Sequence, residues 1–258
     1  MSEFGSLTVR YIIWDFDGTL ACRPGMWSGT LLEILHRELP DCTSTIEDIR
    51  PYMRTGFPWH SHEQPHNPIK SADEWWECLL PVFERAFREG AQLDANESQR
   101  LARQVRTAYV NPEAWELFAD TIPCLEMLQA QGWRHLILSN HVPELPDIIE
   151  ALGLAPFIAQ VFNSAQTGFE KPHPEAFRSV LATIADATEI WMVGDNFSAD
   201  VMGAQAIGLP AVLVRSAHSG AGHCCRTLDE LPGVLNDGLL RAEAEAGEKT
   251  AGTRALLG

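Results

Sequence analysis

The feature that most constrains the fold is a regular alternation of two kinds of segment along the chain. Short apolar segments predict strands, and the segments between them carry apolar residues at helical spacing. The predicted strands are 11–14, 133–138, 157–162, 190–193 and 211–214, and the predicted helices are 123–132, 143–152, 174–185 and 200–207, with a further helix start at Asn111-Pro112. This alternation is typical of a parallel sheet covered by helices on both faces. The sequence therefore predicts an α/β fold with a doubly wound, Rossmann-like parallel sheet.

The segment 21–110 interrupts the alternation and has only helical features. Ser71 and Asp94 each begin a capping box, with a glutamate three residues later and an apolar helical pattern beyond. Leucines between residues 31 and 39 indicate an earlier helix. We predict an inserted all-helical domain, called the cap below, whose aromatic residues form its own core. The predicted domains are 7–20 and 111–235 for the Rossmann-like core, 21–110 for the cap and 241–258 for a tail that is partly disordered.

Composition limits the class of partner. The formal net charge of the 258 residues is 19 − 35 = −16, which argues against nucleic acid and against an anionic membrane. The N-terminus has no secretory pattern and no apolar segment is long enough to span a bilayer, so we expect a cytoplasmic protein. Six cysteines are scattered without metal-type spacing and are expected to be reduced thiols.

Two carboxylates follow the first predicted strand directly. The motif is Asp15-Phe16-Asp17-Gly18-Thr19, and in an extended chain Asp15 and Asp17 share one face. Two like charges side by side require a cation, a shared proton or an exposed position. Taken alone, the motif is also compatible with a strand that ends in a solvated Asp-Gly turn.

Other polar residues follow the later predicted strands, where ligands bind in an open parallel sheet. They are Ser139-Asn140, Lys171, Asp195 and Asp200. Individually they can be a turn hydroxyl, a solvated cation, a loop carboxylate and a helix cap. Their joint occurrence at strand ends predicts one site that contains both Asp15 and Asp17.

The motifs and their order resemble the haloacid dehalogenase-like superfamily of aspartate-nucleophile hydrolases, in the branch with a helical cap after the first strand, which includes phosphoglycolate phosphatases. The resemblance covers nearly all of residues 9–215 and includes all four superfamily motifs. It implies that Asp15 is a nucleophile that forms an aspartyl-phosphate, and that Asp17 gives and takes the proton. Retention of Asp17 favours phosphate esters over haloacids and phosphonoacetaldehyde, because those two families lack this aspartate.

The resemblance also implies how the other motif residues act. A Mg²⁺ ion is expected on Asp15, Asp17 through its main-chain carbonyl, and Asp195, with Asp200 as a ligand or an orienting group. Ser139, Asn140 and Lys171 are expected to bind the phosphoryl group, with Ser139 and Lys171 also counted as catalytic.

The cap is expected to choose the substrate, because a closing cap excludes water from the phosphoryl site. The irregular stretch 55–70 is a lid loop or a plain surface loop, and Lys70 within it is predicted to be a surface lysine. Candidate substrate contacts are Arg23, Trp27, Arg54, Trp59, His60 and His141. The sequence does not choose among them.

Three functions remain open at this stage. The leading prediction is a Mg²⁺-dependent phosphatase for a small soluble phosphate monoester. A phosphosugar mutase uses the same pair of aspartates and differs in where the phosphoryl group goes. A catalytically silent, ligand-binding member is disfavoured because no motif residue is missing.

Overall fold

A computed structural model describes residues 8–65 and 71–237. The predictions for Lys70 and for the tail 241–258 lie outside the described residues. In the described part no helix is both long and apolar enough to cross a membrane. All six cysteines carry free thiols.

Six parallel strands form the main sheet, in the order β5-β4-β1-β6-β7-β8. Their bounds are β1 Arg10–Trp14, β4 Trp133–Ser139, β5 Ile158–Asn163, β6 Glu189–Gly194, β7 Ala211–Val214 and β8 Cys224–Cys225. From β1 the chain builds outward through β4 and β5, and it then returns to place β6 on the other side of β1. The strand order therefore reverses at β1, where an open α/β sheet forms a crevice at its carboxyl edge.

Alternate residues of β1 pack into two separate cores, one on each face of the sheet. Ile12 and Trp14 belong to one hydrophobic cluster, and Tyr11 and Ile13 belong to the other. All four side chains are buried. The predicted doubly wound fold is therefore confirmed, because a strand buried on both faces requires helices above and below it.

The core helices are shorter than their predicted spans or begin elsewhere. They are α6 Thr121–Ala130, α7 Leu145–Ala151, α8 Ser164–Thr167, α9 Pro174–Leu181 and α10 Gly203–Ala206, and residues 231–237 are helical. The helix predicted over 200–207 is instead a π-helical turn, Phe197–Met202, followed by α10, and Asn196 caps it by accepting from the Ser198 and Ala199 amides. Asp200 therefore lies inside the turn and not at its cap.

In the segment between β1 and α6, the described residues form helices and loops, with two short strands where the chain leaves and re-enters the core. Its helices are α1 Met26–Glu38, α2 Ile46–Ile49, α3 Ala72–Arg85, α4 Ala95–Ala102 and α5 Val105–Tyr109. The Ser71 and Asp94 side chains accept hydrogen bonds from the Glu74 and Glu97 amides, as the capping boxes predict. The long helix predicted after Asp94 is broken into α4 and α5.

Two short strands went unpredicted in this region. β2 Ala21–Cys22 pairs antiparallel with β3 Glu116–Leu117, so the two crossings between the helical segment and the sheet lie side by side. The helix start at Asn111-Pro112 is only the short 3-10 turn Pro112–Ala114. Two-residue strands leave no periodic pattern in a sequence, so the sequence does not predict them. The domain division at 20 and 111 stays a prediction.

One buried histidine in β4 makes the stability of the fold depend on pH. His135 Nδ1 accepts a hydrogen bond from Trp14 Nε1 at 3.0 Å, and its Nε2 lies 3.2 Å from the Leu125 carbonyl. Burial lowers the pKa of His135 to about 4. The folded state therefore keeps the imidazole neutral, whereas the unfolded chain takes up a proton once the pH falls below about 6.5.

We expect the free energy of unfolding to fall by about 2 kcal/mol between pH 8 and pH 5 because His135 takes up a proton only in the unfolded chain. The comparison is urea unfolding of the wild type and His135→Gln at both pH values. Glutamine cannot take up the proton, so its loss over this range should be smaller by that amount. Equal losses in the two proteins would contradict the prediction.

Candidate active site

The loop after β1 carries Asp15 to the carboxyl edge of the sheet. The Asp15 amide donates to the Val193 carbonyl of β6 at 2.9 Å, so the residue continues the strand while its side chain enters the crevice. Gly18, at φ +79°, closes the loop, and a Cβ there would lie 2.4 Å from Asp195 Oδ2. Only glycine fits both the left-handed backbone and the close carboxylate.

Lys171 connects two of the carboxylates in the crevice. Its Nζ donates to Asp15 Oδ1 at 2.8 Å and to Asp200 Oδ1 at 2.6 Å, and all three residues are buried. Burial by itself would lower the pKa of Lys171, but attraction to Asp15 and Asp200 outweighs it and the pKa is raised. Lys171 is therefore a permanent cation at neutral pH.

Ser139 and Asn140, at the end of β4, set the positions of these two groups. Ser139 Oγ donates to Asp15 Oδ1 at 3.1 Å. The Asn140 amide makes a reciprocal pair with the Lys171 backbone: Nδ2 donates to the Lys171 carbonyl and Oδ1 accepts from the Lys171 amide, at 2.9 and 2.7 Å. Because the Asn140 side chain is bonded to the Lys171 backbone, Asn140 can contact a phosphoryl group only through its main-chain amide.

Three carboxylates crowd the same edge of the sheet. Asp15, Asp195 and Asp200 each offer an oxygen within 4.8 Å of the other two. Burial raises the pKa of Asp195 and of Asp200; repulsion from Asp15 adds to both shifts, and Lys171 partly offsets them. A cluster of this kind favours a bound cation, and carboxylate oxygens suit a hard ion such as Mg²⁺.

Gly194, the residue before Asp195, allows the Asp200 carboxylate to lie close to the backbone. A Cβ at Gly194 would lie 2.2 Å from Asp200 Oδ2, so a larger residue there would displace the carboxylate. The same oxygen accepts from the Asn196 amide at 3.0 Å. With Lys171 on its other oxygen, Asp200 is held on two sides.

Asp17 points to a different part of the crevice from Asp15. Its Oδ1 lies 3.6 Å from Nε2 of the buried His141, and its side chain is 22% exposed. Burial raises the pKa of Asp17, and His141 opposes the shift. A raised pKa favours the protonated form that a general acid requires.

These residues line one cavity of 490 Å³ between the sheet edge and the helical segment. The sheet side contributes all the motif residues: Asp15, Asp17, Ser139, Asn140, Lys171, Asp195 and Asp200. The helical side contributes Met26, Trp27, Trp59, His62 and Tyr109. Residues of the motifs and residues of the helical segment thus line the same cavity.

The candidate substrate contacts divide into two groups. Trp27, Trp59 and His141 line the cavity. The structure places the other three elsewhere: Arg23 is buried against Glu33 and the Ala108 carbonyl, whereas Arg54 and His60 are exposed and do not line the cavity. Nη2 of Arg23 donates to both Glu33 Oε2 at 2.8 Å and the Ala108 carbonyl at 3.2 Å, which holds the side chain outside the cavity lining.

Several lining residues were not among the candidates. The helical pattern assigns Tyr109 to the core of the cap, and nothing in the sequence singles out Met26. His62 lies within the irregular stretch 55–70. Tyr109 lies 3.8 Å from Trp27, ring centre to ring centre, in a parallel stack. Its helical spacing is the same whether it faces the core or the cavity, so the pattern could not distinguish the two. Asn196 also lines the cavity, and its position directly after Gly194-Asp195 in the motif that ends β6 was a signal in the sequence.

Comparison with known proteins agrees with this geometry. The haloacid dehalogenase-like hydrolase family matches residues 9–208. A bovine haloacid dehalogenase-like hydrolase domain-containing protein 3 is 27% identical over 146 residues, and the alignment covers 56% of this chain and 57% of that protein. A phosphoglycolate phosphatase from Caulobacter vibrioides is 28% identical over 220 residues, 83% of this chain and 82% of that one.

A solved structure shares the fold over nearly its full length. The putative HAD-hydrolase YfnB from Bacillus subtilis, bound to magnesium, superimposes with a TM-score of 0.68 at 22% identity, covering 89% of this chain and 99% of that one. The family match extends from the first strand to the turn before β7 and so includes every motif residue described above. The chain belongs to the haloacid dehalogenase-like hydrolases.

Proposed function

We propose that this hydrolase is a Mg²⁺-dependent phosphatase that cleaves a small phosphate monoester through an aspartyl-phosphate on Asp15. The observation that carries the proposal is the position of Asp15 Oδ1, which receives hydrogen bonds from both Lys171 and Ser139 at the carboxyl edge of the sheet. The relative named as a phosphoglycolate phosphatase supports the reaction class.

In the first half-reaction an Asp15 carboxylate oxygen attacks phosphorus, and the bond between phosphorus and the ester oxygen breaks. Two anions repel each other, so the attack needs positive charge beside them. Lys171 supplies one such charge, held 2.8 Å from Asp15. Its ammonium, the Ser139 hydroxyl and the Asn140 main-chain amide are donors for the phosphoryl oxygens.

Asp17 moves the proton in both half-reactions. As the ester bond breaks, the protonated Asp17 carboxyl donates to the departing alcohol oxygen. The resulting carboxylate then takes a proton from the water that attacks phosphorus, which releases phosphate and restores Asp15. His141 Nε2 lies 3.6 Å from Asp17 Oδ1, beyond hydrogen-bond distance, and both residues line the cavity.

The carboxylate cluster fits a magnesium ion. Asp15 and Asp195 would hold it, with the Asp17 main-chain carbonyl as the third protein ligand that the family resemblance implies. Asp200 already accepts from Lys171 and from the Asn196 amide, so we assign it an orienting role. When bound, the ion would neutralise charge between the nucleophile and the phosphate.

The proposal is tested by phosphate release from a panel of phosphorylated metabolites, with Mg²⁺ and with EDTA. We expect turnover that requires Mg²⁺ and that returns when the ion is restored. Absence of metal-dependent release from every compound would contradict the proposal, and an isomerised product without free phosphate would indicate the mutase.

Asp17→Asn is expected to lower kcat by about 10²- to 10⁴-fold for alkyl phosphates, because an alkoxide leaves poorly without a proton. The loss should be smaller for 4-nitrophenyl phosphate, whose phenolate leaves without one. The matched control is Asp41→Asn, an exposed aspartate away from the cavity. Equal losses for the two classes of ester would remove the acid role.

A further inference from the structure

The wall of the cavity that faces Asp17 is aromatic and apolar. Trp27 and Tyr109 stack at 3.8 Å between ring centres, and Trp59 lies 6.1 Å from Trp27 with its ring tilted by 31°. Met26 completes this set. We call Met26, Trp27, Trp59 and Tyr109 the aromatic wall.

The aromatic wall lies where the alcohol part of a bound phosphate ester would be. Asp15 and Lys171 lie on the sheet side of the cavity, and Asp17 is the group that gives its proton to the departing oxygen. The aromatic wall lines the same cavity from the helical side. A phosphoryl group held at Lys171 therefore directs the alcohol part of the ester past Asp17 toward the wall.

The helical side of the cavity has no cation for a second anionic group on the substrate. Among the described lining residues Lys171 is the only lysine or arginine, and it lies on the sheet side with the carboxylates that would hold Mg²⁺, where the phosphoryl group binds. Lys171 is already held by Asp15 and Asp200. The nearby Arg23 is buried against Glu33 and cannot turn toward a ligand without breaking that pair.

The histidines of the described lining do not change this balance. His62 Nε2 lies 3.5 Å from Glu63, and His141 Nε2 faces Asp17. A carboxylate or a second phosphate on the alcohol would therefore meet rings and carboxylates, and its desolvation would not be compensated. A flat uncharged group would instead pack against the partly exposed ring of Trp59 and the atoms of Trp27 and Tyr109 that reach the cavity.

We infer that the preferred substrate carries one phosphate on an uncharged, flat aromatic alcohol. This inference rests on the proposed phosphatase function and specifies its substrate class. The chemistry is unchanged: the bond between phosphorus and the alcohol oxygen breaks, and that oxygen receives the proton of Asp17.

The test compares benzyl phosphate, ethyl phosphate, 4-carboxybenzyl phosphate and phosphoglycolate in the presence of Mg²⁺. All four release a primary alcohol, so differences in leaving-group chemistry are small. We expect kcat/KM for benzyl phosphate to exceed that of each of the other three by about 10-fold or more. Equal or better turnover of ethyl phosphate or of either carboxylated ester would overturn the inference and leave the phosphatase proposal intact.

Trp59→Ala tests the wall directly, because Trp59 lines the cavity and is only partly buried, unlike Trp27 and Tyr109. The ratio of benzyl to ethyl kcat/KM should fall about 5-fold or more toward unity. The matched control is Ser61→Ala, which removes an exposed hydroxyl of the same 3-10 segment, Pro58–Ser61, and should keep the wild-type ratio. A ratio unchanged in Trp59→Ala would overturn the inference.

The affinities of two phosphonates, measured by calorimetry, test the aromatic substrate class separately from the phosphatase activity. Benzylphosphonate should bind about 10-fold more tightly than ethylphosphonate to the wild-type protein with Mg²⁺. That difference without any ester turnover would support the aromatic wall and contradict the phosphatase. Equal binding of the two phosphonates would overturn the wall as the determinant, whatever the turnover.

Discussion

Asp15→Asn is expected to abolish phosphate release, with kcat reduced by at least about 10⁴-fold. The amide oxygen is too weak a nucleophile to form the acyl phosphate, and no other described carboxylate is bonded to both Lys171 and Ser139. Release is measured in single-turnover experiments with excess enzyme, which also detect a stalled first half-reaction. Activity within 10-fold of the wild type would remove Asp15 as the nucleophile.

The same variant should remain folded. Asparagine keeps the size of the side chain, and Lys171 keeps its 2.6 Å bond to Asp200. One of three mutually repelling carboxylates becomes neutral, so we expect the melting temperature in EDTA to be unchanged or higher. Asp41→Asn, at an exposed position, is the control for both activity and melting. A lower melting temperature for Asp15→Asn alone would show that lost activity reflects unfolding.

Lys171→Met is expected to have the second large effect, on stability as well as activity. Removing the cation leaves the buried Asp15 and Asp200 without a counter-ion, a change that costs about 3–5 kcal/mol in comparable buried pairs. The loss should be larger at pH 8 than at pH 5, because protonation at lower pH discharges the unpaired carboxylates. Urea unfolding in EDTA at the two pH values measures it.

A second substitution distinguishes charge from packing. In Lys171→Met/Asp200→Asn one of the two uncompensated charges is gone, so part of the lost stability should return, although activity should not. If the double variant is no more stable than Lys171→Met, the cost comes from the methionine side chain and not from unpaired carboxylates.

The strands of the sheet were predictable because burial on both faces imposes an apolar run that is visible in the local sequence. β7 was predicted at its observed bounds, and β4 and β6 to within one residue at each end. The helix ends were less predictable: α9 ends at Leu181, four residues before the predicted Ala185, because the chain turns where Thr183 Oγ1 donates to the Val180 carbonyl. Such local bonds compete with helix continuation and leave no periodic signal.

The motif residues were predictable as a group for a related reason. The carboxyl ends of parallel strands meet at one edge, so residues that follow those strands are close in space however distant in sequence. The separation of 156 positions between Asp15 and Lys171 therefore presented no obstacle. Their individual roles in catalysis remain proposals.

The sequence by itself determined the sheet, its carboxyl edge and the set of acidic, hydroxyl and lysine residues that gather there, because strand patterning and the order of the motifs are properties of the local chain. Only the tertiary structure decided which residues of the helical segment face that edge. Tyr109 and Arg23 belong to one segment, yet Tyr109 lines the cavity and Arg23 pairs with Glu33. That choice depends on how the helices pack against the sheet, and packing between distant segments is not encoded in the period of any one of them.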